Sequence, residues 1–188
     1  MKRLSHTLQK LPVLPSILVL LFLSGVILGV LAYPLLKEQT VKLAEELKKL
    51  ILADDKPITA VNIFLKNLQA SLLTLMLGPT ILLPLLIVFS NGFATGLMIH
   101  LAYEKGKSIP RILIALTPHG VPELAAFFLA ASGGMNTGLA FLFPNKKPRL
   151  TAAIKAGKKA ILLYFTVVLP LLILAAILET YVSTQLIQ

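Results

Sequence analysis

Residues 63–103 read IFLKNLQASLLTLMLGPTILLPLLIVFSNGFATGLMIHLAY, an apolar run of about 40 residues. As one helix it would be about 60 Å long, twice the ~30 Å hydrocarbon core of a bilayer. It must therefore turn back on itself. Gly78-Pro79 is the natural place for the turn, and Pro84 is expected to kink the span that follows. Two crossings result, at about 63–77 and 80–102.

The rest of the chain repeats this logic. It is 188 residues long and 56% hydrophobic, with 14% of residues charged and a mean hydropathy of +0.85. Those values describe an integral membrane protein, not a soluble domain. The apolar run from Leu14 to Tyr33 follows Lys2, Arg3 and Lys10. It is too long for a signal-peptide core and no small-x-small cleavage site follows, so it reads as a retained first span over about 13–34, ended by Pro34.

Residues 35–56 read as a charged amphipathic helix outside the membrane. Leu36, Leu43, Leu47 and Leu50 fall on one face, while Glu38/Lys42, Lys42/Glu46 and Glu45/Lys49 form i,i+4 pairs on the others. The run from Ile109 to Phe143 again exceeds one crossing, and Pro118 and Pro122 divide it into a lead-in and a span of about 123–143. A basic loop, 144–159, precedes the last span at about 160–182. The expected fold is an all-α polytopic transmembrane helical bundle of about five spans, with a broken helix near 118–122. All of it forms a single membrane domain over residues 1–188.

The net charge of +10 would point to nucleic acid in a soluble protein. Here the basic residues flank apolar spans and no nucleic-acid module is visible, so the bilayer and its anionic lipid headgroups are the expected partners. Lys146, Lys147, Arg149, Lys155, Lys158 and Lys159 form the headgroup-binding segment. The positive-inside rule places that segment and the N-terminus in the cytoplasm, in a multi-pass protein of the cell membrane. There is no cysteine, hence no disulfide and no thiolate metal site.

Three spans carry small-xxx-small pairs: Gly25/Gly29, Gly92/Gly96 and Gly134/Gly138. That spacing lets helix backbones approach closely, either within the bundle or across a homodimer. Ser90–Leu97 and Ser132–Leu139 share five of eight residues, an echo of the internal repeats that transporters carry.

Polar residues at membrane depth are few: Asn67, Asn91, His119, Glu123, Asn136 and Glu179, with His100 near a span end. Ionisable groups there are costly, and they mark buried contacts or functional sites. With Pro122 as a first helical residue, His119 is expected in the loop leading in and Glu123 in the first turn.

In this region the chain resembles the stage II sporulation protein M family. The matching pieces are Phe64-Leu-Lys-Asn67 with Ala70 and Gly78, Asn91-Gly92-Phe93 with Gly96, Pro118-His119-Gly120 with Glu123, Gly133, Gly134 and Gly138, and Ala175 to Glu179. The similarity runs from about residue 60 to 183 and implies a multi-span helical protein of the cytoplasmic membrane. In spore formers, members act as a scaffold in a complex with a peptidoglycan hydrolase and a second membrane protein. Relatives also occur in archaea and in bacteria that make no spores.

Function is therefore expected to be that of a non-enzymatic scaffold that recruits a membrane protein partner. No catalytic residue and no cofactor are expected. There is no His-Glu-x-x-His, no Gly-x-Ser-x-Gly and no phosphate-binding Gly-Lys-Thr. The alternative is a small ion or solute transporter or channel whose pathway passes His119, Glu123 and Glu179. Metal binding by the same three residues is a variant of that alternative, but His-x-x-x-Glu is a weak pattern and no metal site is assigned from it.

Overall fold

The structure, a computed structural model, describes residues 13–144 and 148–183. Among them the fold is all-α, and five helices are long and apolar enough to cross a membrane. They are α1 (Val13–Ile51), α2 (Lys56–Leu77), α3 (Leu82–Glu104), α4 (Ile109–Leu142) and α5 (Arg149–Ser183). The chain is a multi-pass membrane protein.

Prolines shape these helices less abruptly than their positions imply. Pro34 does not end the first helix; α1 runs on to Ile51 and bends at Leu36, where φ is −114° and ψ 18°. Pro34 removes the donor that Val30 O would otherwise receive. His100 on α3 supplies a replacement, its ring N–H donating to Val30 O at 2.9 Å, while Tyr33 stacks on the same imidazole at 4.3 Å. Pro84 makes no kink, because it falls in the first turn of α3, where no intrahelical donor is needed.

The expected break at 118–122 is likewise absent, since α4 is continuous with Pro118 and Pro122 inside it. Two prolines four residues apart remove bonds along a single line of the helix, and the ladder on its other faces persists. His119 and Glu123 consequently sit in mid-helix, not in a lead-in loop and a first turn. The basic 144–159 segment, expected as a loop, is largely helical among its described residues. From Arg149 onward it is the first three turns of α5, which starts after Pro148. Farther along, α5 changes to a wider π-type turn over Tyr164–Val168 ahead of Pro170, a common way to absorb a proline inside a helix.

Between α2 and α3 the chain reverses through Gly78–Thr80 and Ile81, which adopts φ 63° and ψ −48° and whose N–H donates to Gly78 O at 2.9 Å. A β-branched residue at positive φ is strained.

The bundle divides into two groups. α1 packs chiefly on α3, and α4 packs chiefly on α2 and α5; contact between the groups is sparse. Glycine seams knit each group. A Cβ on Gly25 or Gly29 would run into the Phe89 and Phe93 backbone, and one on Gly92 or Gly96 into that of Phe22 and Val26. In the second group, Gly134 meets Leu75 and Gly78, and Gly138 meets Pro79. All three small-xxx-small pairs thus pack within the chain's own bundle.

The groups are sealed to each other by one apolar cluster. Leu14, Leu18 and Phe22 of α1 and Val88 of α3 meet Phe127, Phe128, Ala131, Met135 and Leu139 of α4. Phe22 and Phe128 stack edge to face at 5.8 Å. This seal lies toward the face that carries the start of α1 and the Gly78–Thr80 turn. Toward the opposite face the groups part.

Candidate functional site

Where the groups part, a crevice of ≈ 350 Å³ opens between α3 and α4. Met98, Ile99 and Ala102 on α3 and Ile112 and Leu116 on α4 form apolar walls. Lys107, Arg111 and Leu47 stand at the mouth, and Lys66, Asn91, Thr95, Glu123 and Glu179 line the inner part. A smaller cavity of ≈ 90 Å³ continues inward past Lys66, Asn67, Asn91 and Glu123 and ends against Phe22 and Phe127, two members of the apolar seal.

Helix register explains why these polar residues meet. α2 and α4 run in the same direction, and Gly78 packs on Gly134. Asn67 lies eleven residues before Gly78 and Glu123 eleven before Gly134, so the two side chains reach the same level. Eleven residues of helix span about 16 Å, roughly half the thickness of a hydrocarbon core. Glu123 is thus near mid-depth, and the enclosed Asn67 amide lies against its carboxylate.

His119 lies one turn from Glu123 on α4, and α5 brings Glu179 to both. One ligand atom from each of the three lies within 4.8 Å of the others. The imidazole is held by α5 as well, its Nδ1 sitting 2.7 Å from Ser183 Oγ. Lys66, one residue from Asn67, is close enough to Glu123 to act on it electrostatically. Asn91 is on the opposite wall, and the Thr95 hydroxyl donates to its carbonyl at 2.8 Å. Four residues singled out in the sequence (Asn67, Asn91, Glu123 and Glu179) therefore line the crevice and the cavity behind it, although they come from four helices; His119 lines neither and joins the group through its closeness to Glu123 and Glu179.

Sequence reasoning missed Lys66, Thr95, Lys107, Arg111 and Ser183. For Lys66 a signal was present, a lone base eight residues into an apolar helix stretch beginning at Ile58. Ser183 gave none, because only the pairing of α4 with the end of α5 brings it to His119. Of the basic headgroup segment, Arg149, Lys155, Lys158 and Lys159 are exposed on the first turns of α5, at the end of the bundle remote from the crevice mouth; Lys146 and Lys147 lie outside the described residues.

Chemically, the arrangement offers an imidazole, two carboxylates and a carboxamide to anything small and polar that enters from one face. A family model described as Stage II sporulation protein M matches residues 14–184 of the chain. No curated protein and no solved structure matches it.

Proposed function

The chain belongs to the stage II sporulation protein M family, and on that footing we propose that its working part is the crevice, which admits a small cation or polar solute from one face to the His119/Glu123/Glu179 cluster. The observation that carries this reading is the continuity of the ≈ 350 Å³ crevice with carboxylates near mid-depth. Intramembrane carboxylates and imidazoles at the meeting of two helix groups are what ion pathways are made from. On this reading the protein is a transporter or channel and not an enzyme. With the acid-free basic segment of α5 taken as cytoplasmic, the crevice mouth faces outward, on the side where Lys and Arg are as many but interleaved with acids.

Because the chain contains no cysteine, single cysteines can map the crevice without background. Ile99→Cys, on the crevice wall, should react with a membrane-impermeant thiol reagent from one side of sealed vesicles. Val88→Cys, in the apolar seal, should stay protected. Proteoliposomes should show pH-dependent cation movement that Glu123→Gln abolishes. Protection of both cysteines, with no flux across a panel of cations and small solutes, would sink the transport reading.

A second reading, the non-enzymatic scaffold, draws on α1. Beyond its bend this helix continues as an amphipathic arm that exposes Leu43 and Leu50. Tyr33 and Lys37 both donate to the Glu104 carboxylate and fasten its base to α3. Such an arm suits a membrane protein partner or an anionic lipid surface. Co-purification of a partner that Leu43→Glu releases, without flux, would favour it.

A further inference from the structure

We infer that His119, Glu123 and Glu179 form a binding site for one divalent transition-metal cation at the inner end of the crevice. This deepens the crevice reading by naming what binds there, and the metal site can be tested apart from transport.

The geometry comes first. Metal–ligand bonds of about 2.0–2.2 Å place any two donors on one ion within ~4.4 Å of each other. The three candidate atoms already lie within 4.8 Å of one another; tetrahedral donors on one ion sit about 3.4 Å apart, so rotations that draw the side chains together by about an ångström close the site. They come from two helices that pack along most of their length, α4 and α5, so the positions are fixed by the fold.

The surroundings are those of a metal site and not of an accidental cluster. A ligating imidazole ordinarily has its second nitrogen held by an oxygen, which sets the ring's orientation. Here Ser183 Oγ holds Nδ1 at 2.7 Å, and an imidazole so held offers Nε2 to an ion. The enclosed Asn67 amide lies against the Glu123 carboxylate. It can donate to the carboxylate oxygen that the ion leaves over. Two carboxylates brought together away from bulk water repel each other, and Lys66 supplies one compensating charge. A dication held between them offsets that repulsion directly.

The donor set also selects the class of ion. One imidazole with two carboxylates suits Zn²⁺, Mn²⁺, Fe²⁺ or Co²⁺, whereas Ca²⁺ and Mg²⁺ take oxygen donors and more of them. Three protein ligands leave a coordination position open to the crevice, as in sites where an ion or its ligand must exchange.

The test uses the full-length protein purified in detergent, stripped with a chelator, and titrated with Co²⁺ and with Zn²⁺. One equivalent of metal per chain and a visible Co²⁺ absorption band are expected. His119→Gln, Glu123→Gln and Glu179→Gln should each abolish stoichiometric binding, and Ser183→Ala should weaken it about 10–100-fold. Lys155→Gln, far from the site, should bind as the parent does. Zn²⁺ should raise the melting temperature of the parent protein and not that of Glu123→Gln. Substoichiometric binding, or binding that both Glu123→Gln and Ser183→Ala leave unchanged, overturns the site; should a ligand variant fail to fold, Ser183→Ala alone decides. Stoichiometric binding in a protein that moves no ion keeps the metal site and removes the transport reading. Flux in a protein that binds no metal does the reverse.

Discussion

Replacing Gly29 by alanine tests the two-group architecture most directly. The added methyl would fall well inside van der Waals contact of the Phe93 carbonyl and the Gly96 Cα, all of it main chain. A flexible side chain could step aside, but two helix backbones cannot, so α1 must move off α3. Overpacking of this kind costs about 1–3 kcal/mol. Alanine recovers about 0.5–1 kcal/mol over glycine inside a helix, which leaves a net loss of roughly 0–2.5 kcal/mol, centred near about 1 kcal/mol, or a melting temperature lower by about 2–4 °C at that centre for a chain of this size. Gly157→Ala is the matched control. Its methyl would meet Thr137 Cγ2 at 3.7 Å, an ordinary contact, so the helical gain of about 0.5–1 kcal/mol should appear unopposed. The two substitutions are chemically identical and should have opposite signs. Thermal unfolding in detergent followed by far-UV circular dichroism suits a chain with no tryptophan. If Gly29→Ala stabilises the protein as Gly157→Ala does, the α1–α3 seam is not a backbone-on-backbone contact and the division into two groups is wrong. Combined with Gly96→Ala, whose methyl enters the same seam, the loss should be less than additive, because helices already parted have room for a second methyl.

Inside the second group, Ser71 Oγ and Tyr164 Oη pair at 2.7 Å in a buried setting. Tyr164→Phe should cost about 1 kcal/mol. Adding Ser71→Ala should cost little more, and equal additive losses in a double-mutant cycle would mean that the two hydroxyls are not partners. At the bend of α1, Tyr33→Phe removes one of the two donors on Glu104. It should raise cleavage or hydrogen exchange over residues 37–51 while leaving the Gly25/Gly29 seam protected; unchanged exchange in the arm would show that Tyr33 does not fasten it.

Spans were legible because length and hydropathy are local properties of the sequence. The turn at Gly78 and the two crossings around it follow from a run twice too long for one helix. Prolines misled for a related reason. A proline states only that one donor is missing, and whether the helix ends depends on what else can reach the bared carbonyl. For Pro34 the substitute is His100, some seventy residues away in sequence, and no local pattern announces it. The polar residues were recognisable one by one through their cost at membrane depth. That Asn67 and Glu123 are level followed only once Gly78 was seen against Gly134. The crevice was not legible at all, since it is a property of what two helix groups leave unfilled between them.

That unfilled space has a direction, and the direction follows from how the two groups are held. Each is locked internally by a seam of glycines against backbone, which tolerates little sliding. Between them the principal apolar contact is the cluster around Phe22, Phe127 and Phe128. Relative motion, if the protein transports, must therefore be a rocking of α1/α3 against α2/α4/α5 that opens this seal. Baring an aromatic side chain to water costs about 1.5–3 kcal/mol, so a seal of three aromatic rings costs several kcal/mol to open. That is the scale of a two-state gap which a ligand binding one state more tightly can offset. The echo between Ser90–Leu97 and Ser132–Leu139 acquires a physical sense here. In α3 the segment carries the glycines that pack on α1, in α4 those that pack on α2 and its turn, and the two helices run in opposite directions. The same short sequence thus seats one helix in each group, and Asn91 on one side faces Glu123 on the other across the crevice between them.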